Sequence, residues 1–532
     1  MKKYRAAFSR QKIKSFLLAS VVASAFPAAA DVRLPRIFSD SMMLQRNMPV
    51  RVWGWAEPGE EVTASLAGKS AATRTNEKGQ WSVELPAMKA GENLELAVKG
   101  KNSLALKNVI IGDIWVCSGQ SNMEWTLGQC LGAADDIKAA DLPKIRQIKF
   151  TKTQSAQPET DAPVATPWQE CSPGTAAGFT GVGFYFAREI LAKTGVPIGL
   201  VYSNWGGTQI EPWTALEGLG LVAELKADFE SVKDPQKAYR AQLPAALIQL
   251  ESWIAQAKAS LANGTAIPAA PAIPAGPAKK GAWSGMYNAM IHPLVRFPIK
   301  GAIWYQGESN GSEGETYYHK MRALIGGWRK NWGQGDFPFY FVQLASYQAV
   351  SQNPAGGNGW ARLREAQFKS LSMPNTGMAV ITDTVPLAQS GDIHPKNKYD
   401  VGLRLALWAL GRDYAQKGVV VSGPLFKSMK VEGGKARLEF DQLGSGLMIG
   451  KKDGRSPAVE DKEGKLARFA IAGADKKWVW AEAVIEKDTV VVSSPEVAVP
   501  AAVRYGFEMN PTGANLYNRE GLPASPFRTD AW

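Results

Sequence analysis

The chain has 532 residues, with 61 Lys and Arg against 49 Asp and Glu for a formal net charge of +12, and only three His and three Cys. That length exceeds one ordinary core, so two or three domains are expected; six of the bases (Lys2, Lys3, Arg5, Arg10, Lys12, Lys14) lie in the first 30 positions, and removing them from +12 leaves +6 without a dense basic block, which argues against a nucleic-acid partner. Three scattered histidines without H-E-x-x-H or C-x-x-C supply no metal-ligand set, and there is no G-x-G-x-x-G after a strand and no P-loop, so neither a metal nor another cofactor is expected.

In chain order, residues 1–30 pair those bases with the apolar run "FLLASVVASAF" and a small-residue "PAAA" before Asp31. This reads as a secretory signal peptide cleaved after Ala30, giving a periplasmic or extracellular protein; the run falls far short of the ~20 residues that a membrane span needs. From 31 to 107, runs such as "VRVWGWAEPGEEVTASLAG" and "KGQWSVELPAM" alternate with Pro-Gly and Asn/Gly turns and predict an antiparallel β-sandwich. From 108 to 414, apolar strands are followed by amphipathic helices ("VIIGDIWVCSG", "VGFYFAREILAKTG", "PIGLVYSNWGG", "IKGAIWYQGES"), which predicts a parallel sheet covered on both faces. Within it, residues 215–283 form an insertion of helices and a Pro/Ala-rich stretch. Alternating strands return over 415–532, a β-rich C-terminal region. Cys117, Cys130 and Cys171 match no disulfide framework and leave open whether one pair joins. The 18 Trp and 14 Tyr suit carbohydrate stacking, although core packing accounts for most of them.

Two serines compete as nucleophile. Gly307-Glu308-Ser309-Asn310-Gly311 matches G-x-S-x-G, the nucleophile elbow of α/β-hydrolases, while Ser121 follows the β-type run "GDIWVCSGQ". A serine hydroxyl needs a base, and of the three histidines His394 is the strongest candidate: Asp392 precedes it by two residues in a loop between a strand and a helix, where a carboxylate can hold the imidazole in its working tautomer. His292 and His319 read as structural or surface residues. Ser309 with Asp392 and His394 would satisfy the α/β-hydrolase order, but it leaves "GQSNMEW" and "SNWGGTQIEPW" without a task. With Ser121 as nucleophile, every segment acquires one at the C-terminal ends of parallel strands. The backbone amides of Ser121 and Gly207 and the side-chain amide of Gln306 would converge on the oxyanion, with Gln120 and Asn310 as substrate contacts.

The order Ser, Gly, amide, Asp-His resembles the SGNH/GDSL hydrolases, and "GDIWVCSGQSNMEW", "WGGTQIEPW", "MYNAMIHPL", "GAIWYQGESN", "DIHPKNKYDVGLRLAL" and "NLYNREGLPASPFRTD" are similar to the sialate O-acetylesterase family of carbohydrate esterases over essentially the whole mature chain. The resemblance implies an α/β fold with an SGNH-like sheet flanked by helices. It also implies hydrolysis of O-acetyl groups on sialic acid or another acetylated sugar through an acetyl-enzyme, with Ser121 as nucleophile, His394 and Asp392 as base pair, and Gly207 and Gln306 as oxyanion donors. Two departures stand out. The third block of the superfamily carries Asn where Gln306 stands, with Asn310 nearby, and its Asp lies three residues before His rather than two, which keeps Asp383 in reserve as the acid. A carbohydrate-binding protein of the same fold without activity is the reading from another class.

Overall fold

The computed structural model describes residues 31–272 and 281–532; the signal-peptide expectation for 1–30 and residues 273–280 of the Pro/Ala-rich stretch lie outside them. Among the described residues no helix is long and apolar enough to cross a membrane.

Alternation builds the N-terminal part. Val62, Ala64 and Leu66 of Glu61–Leu66 point inward while their neighbours do not, the period-two signature of a half-buried strand. That strand lies between Lys69–Arg74 and Gly91–Lys99, and Val50–Trp55 pairs antiparallel with Gln80–Leu85. The next strand, Ser103–Gly119, crosses position 107 without a break. Its first half pairs antiparallel with Gly91–Lys99, and its second half lies parallel between Ile198–Asn204 and Gly301–Tyr305.

The seven strands of the central sheet run in the order Thr376–Ala379, Phe339–Val342, Gly301–Tyr305, Ser103–Gly119, Ile198–Asn204, Leu142–Phe150, Val164–Cys171, and all neighbours are parallel except the last pair. The near-continuous apolar text of these strands follows from burial on both faces. On one face Val116, Ala302, Trp304 and Phe341 share a core with Leu324 and Trp328 of helix Thr316–Trp332. On the other, Trp115, Cys117, Ile303 and Tyr305 join Phe184 of helix Gly181–Thr194 and Val401 and Leu405 of helix Lys398–Arg412. The ends of these helices are written locally. Thr180 Oγ1 accepts from Gly183 N and Gly195 ends its helix at φ 69°, while Asn397 caps the last helix by accepting from Asp400 N.

The insertion contains helices Leu216–Leu219, Lys226–Val232 and Pro235–Ala262. The C-terminal region is β-rich, with Leu425–Glu432, Lys435–Asp441, Thr489–Ser493 and Glu482–Glu486 forming one antiparallel sheet. The fully buried Arg364 ties it to the central sheet by donating to the carbonyls of Leu344, Glu508 and Met509. The architecture is therefore the one expected: a helix-flanked, largely parallel sheet with β-structure before and after it. All three cysteines are free and buried; burial pushes the thiols of Cys130 and Cys171 up to about 12.

Candidate active site

The chain enters the sheet at its middle, then adds strands first on one side and later on the other, so the order reverses around Ser103–Gly119. Open α/β sheets bind ligands at this reversal, outside the carboxyl ends of the strands. There Gly119 faces both Asn204 and Tyr305 in register. Gly119 has φ +133°, and a Cβ at that position would stand 2.1 Å from Tyr305 O, so only glycine lets the chain turn this tightly. Two residues on, Ser121 opens the short helix Ser121–Glu124.

Ser121 Oγ lies 2.9 Å from His394 Nε2. The imidazole stacks on Trp125, with ring centroids 5.1 Å apart and planes inclined by 18°. Its Nδ1 is 3.4 Å from Asp392 Oδ1, and the same oxygen accepts the backbone N–H of His394 at 2.9 Å. Burial lowers the His394 pKa from its ordinary value and the Lys398 charge lowers it further, while Asp392 opposes both. Asp383 is engaged elsewhere. It receives both Arg404 amino groups at 2.6 and 2.8 Å and the Tyr517 hydroxyl at 3.2 Å. Of the two acids, the structure brings Asp392 to the imidazole. His292 Nδ1 lies 2.9 Å from Glu159 O, and His319 sits beside Glu224 and Arg322. Ser309 lies in the turn Glu308–Asn310, and among the described residues no histidine reaches its hydroxyl.

Gly206 and Gly207 hold the turn after Ile198–Asn204. A Cβ on Gly206 would stand 3.2 Å from Ser121 Cβ, and the Gly206 N–H donates to Glu124 Oε2 at 2.7 Å. Gly207 has φ +70°, and its N–H, like that of Ser121, has no partner among the described residues.

The carboxamides are arranged differently from the expectation. Gln306 is 0% exposed, and its Nε2 meets Asn310 Oδ1 at 2.7 Å, Gln120 Oε1 at 3.1 Å and Thr208 O at 3.2 Å, three acceptors for two hydrogens. Tyr317 donates to its Oε1. Asn310 is equally enclosed: Oδ1 accepts from Ile210 N and Gln306, and Nδ2 donates to Glu211 and Glu313. Both amides are buried and engaged within the protein, where the sequence reading places Gln306 at the oxyanion and Asn310 at the substrate. Gln120, 3% exposed, is the amide that directly precedes Ser121. The Ser309 N–H and Gln306 Nε2 both point at its Oε1, which fixes the orientation, and its Nε2 has no partner among the described residues.

Sequence reasoning passed over Asn122, Glu124, Trp125, Glu308 and Lys398. Asn122, Glu124 and Trp125 sit inside "GQSNMEW" and Glu308 inside "WYQGES", so proximity to the motif was their only signal; Lys398, four residues after His394, reads as an ordinary helix-start lysine until its complete burial is seen.

The family model described as "Carbohydrate esterase, sialic acid-specific acetylesterase" matches residues 111–223 and 221–410. A sialate O-acetylesterase from Rattus norvegicus is 31% identical over 463 residues, 81% of this chain and 82% of that protein. The Homo sapiens sialate O-acetylesterase is 27% identical over 94% of this chain and 93% of its own length. Among solved structures, a carbohydrate acetylesterase from Xanthomonas citri is 39% identical with a TM-score of 0.77, covering 94% of this chain and 100% of that one.

Proposed function

The chain belongs to the sialic acid-specific acetylesterase family of carbohydrate esterases and is a carbohydrate O-acetylesterase, and from that premise we propose that Ser121, His394 and Asp392 carry the reaction. The observation behind this reading is the 2.9 Å approach of Ser121 Oγ to His394 Nε2 at the reversal point of the sheet. Ser121 Oγ attacks the acetyl carbonyl as its proton passes to His394 Nε2. The tetrahedral oxyanion accepts from the amides of Ser121 and Gly207, with the Gln120 carboxamide as third donor; Gln306 acts behind it by holding Gln120 Oε1. The imidazolium then protonates the departing sugar oxygen, leaving an acetyl-enzyme. Water, deprotonated by His394, attacks that ester, and acetate leaves as Ser121 recovers its proton. Asp392 keeps the Nδ1 proton in place and offsets the imidazolium charge.

The same reading takes residues 1–30 as an export signal and divides the chain into an N-terminal β unit over 31–107, a catalytic unit over 108–414 with its insertion, and a C-terminal β unit. The substrate is an O-acetylated sugar, with sialic acid and acetylated plant or bacterial polysaccharide as the candidates. Acetate release from a panel of these glycans tests it. Wild type releases acetate and Ser121→Ala does not, whereas an active Ser121→Ala variant beside an inactive Ser309→Ala variant would refute it.

A further inference from the structure

We propose that Asn122 is a positioning residue that clamps the Ile393–His394 peptide to the Ser121 turn, with Lys398 and Glu308 buttressing it from behind. The proposal rests on the Ser121–His394 reading above. One peptide unit carries two contacts: Asn122 Nδ2 donates to Ile393 O at 3.1 Å, and the His394 N–H donates to Asp392 Oδ1 at 2.9 Å. Both atoms belong to a single planar group, so holding them together fixes the direction in which the His394 side chain leaves the loop. Asn122 directly follows Ser121, and thus the nucleophile's turn and the base's loop share one hydrogen bond.

Asn122 has no freedom to turn away. It is fully buried, its Oδ1 accepts from Lys398 Nζ, and its Nδ2 also donates to Glu308 Oε1. Flipping the amide would set nitrogen against nitrogen at Lys398 and oxygen against oxygen at Ile393 and Glu308. Lys398, itself fully buried, lies over the rings of Trp125 at 5.7 Å and Tyr305 at 5.2 Å, and Trp125 is the ring that stacks on the imidazole. Peptide and ring of His394 therefore lean on the same buried ammonium.

Such a trio is costly to enclose. Burial brings Lys398 down to about 7 and raises Glu308, whose Oε2 has no partner among the described residues. Apolar side chains of similar volume would fill the space without that cost, so packing alone does not account for it. The ionisable groups facing His394 are Asp392, Lys398 and the Ser121 hydroxyl, and those facing Lys398 are Glu308, Asp392 and the Cys130 thiol.

The test uses the full chain, with acetate release followed against pH, melting temperature recorded, and Ser121→Ala as reference. In the double variant Asn122→Asp/Glu308→Gln, the carboxamide introduced at 308 donates to the carboxylate introduced at 122. That carboxylate still meets Lys398, but Ile393 O loses its donor. The expected melting temperature is close to wild type, with kcat about 100-fold lower at little-changed KM, the cost of displacing a catalytic group by roughly 1 Å. Lys398→Met removes a positive charge beside His394 and is expected to move the acidic limb of kcat/KM to higher pH, a shift that a merely structural role would not produce. Wild-type turnover in the folded double variant, or an unmoved limb in Lys398→Met, would overturn the proposal; where the double variant does not fold, the limb decides. Ser121→Ala separates the two levels. If it is active, the underlying site reading fails; if it is inactive while the double variant turns over normally, only the clamp fails.

Discussion

Exchanging Asp383 and Asp392 in turn for Asn tests which of the two acids serves the proposed base His394. Asp383 and Arg404 are 5% and 6% exposed and joined by two hydrogen bonds, and Arg404 also donates to Val380 O. Burial disfavours the guanidinium charge, but Asp383 more than compensates, so Arg404 stays firmly protonated. Asp383→Asn leaves that charge enclosed without its counterion, at about 3–5 kcal/mol. Unfolding entropy near ~2.1 cal/mol/K per residue over the roughly 300 residues between positions 111 and 410 amounts to about 0.6 kcal/mol/K, so the melting temperature should fall by about 5–8 °C. Turnover of the folded protein should be unchanged. Asp392 has the opposite profile. Its side chain is 46% exposed, so Asp392→Asn should alter stability by less than about 1 kcal/mol. An Asn oxygen still accepts the His394 N–H, which preserves the loop, but the imidazole loses its tautomer control and kcat should fall by about 10² to 10⁴. Initial rates of acetate release and thermal melts on both variants decide the matter. A stable, inactive Asp383→Asn beside an Asp392→Asn with wild-type turnover would refute the reasoning.

Other outcomes follow from the same geometry. Ser121→Ala should abolish acetate release while Ser309→Ala stays near wild type, because only the former hydroxyl meets His394; comparing the two rates checks it. Since the base must be neutral and burial and Lys398 lower its pKa, the acidic limb of kcat/KM should fall below the ~6.5 of an ordinary histidine, and Asp392→Asn should move it lower still; a limb above that value in wild type contradicts the site as described. Gln120→Ala should cost about 10² to 10³ in kcat with little change in KM, the effect of removing an oxyanion donor. Gln306→Ala should lower both the melting temperature and kcat, because it also strips a donor from Asn310 and Thr208; a loss confined to KM in either variant would show contact with the sugar instead.

Local pattern in the amino-acid sequence carried the fold class and the candidates for the site. Alternation over 61–66, buried apolar runs such as Ile198–Asn204, and helix ends such as Thr180 and Gly195 depend on near neighbours in the chain, so they are readable there. Ser121 and His394 stand out as candidates because each sits in a short segment with its own chemistry at a strand end, and the structure brings them within 2.9 Å. Tertiary structure decided what lay beyond that range. The sequence favours Asp392 by its closeness to His394 and holds Asp383 in reserve; that Arg404 and Tyr517 arrive from other elements and occupy Asp383 is visible only in the folded chain. Gln306 has the right chemistry for an oxyanion donor, but its two hydrogens are taken by Asn310, Thr208 and Gln120, and no spacing reveals how a side chain's hydrogen bonds are already spent. Lys398 reads as one lysine among many, and only the packing of Trp125, Tyr305 and Asn122 around it makes it a buried charge, because burial is a property of the assembled surfaces rather than of any residue in the chain.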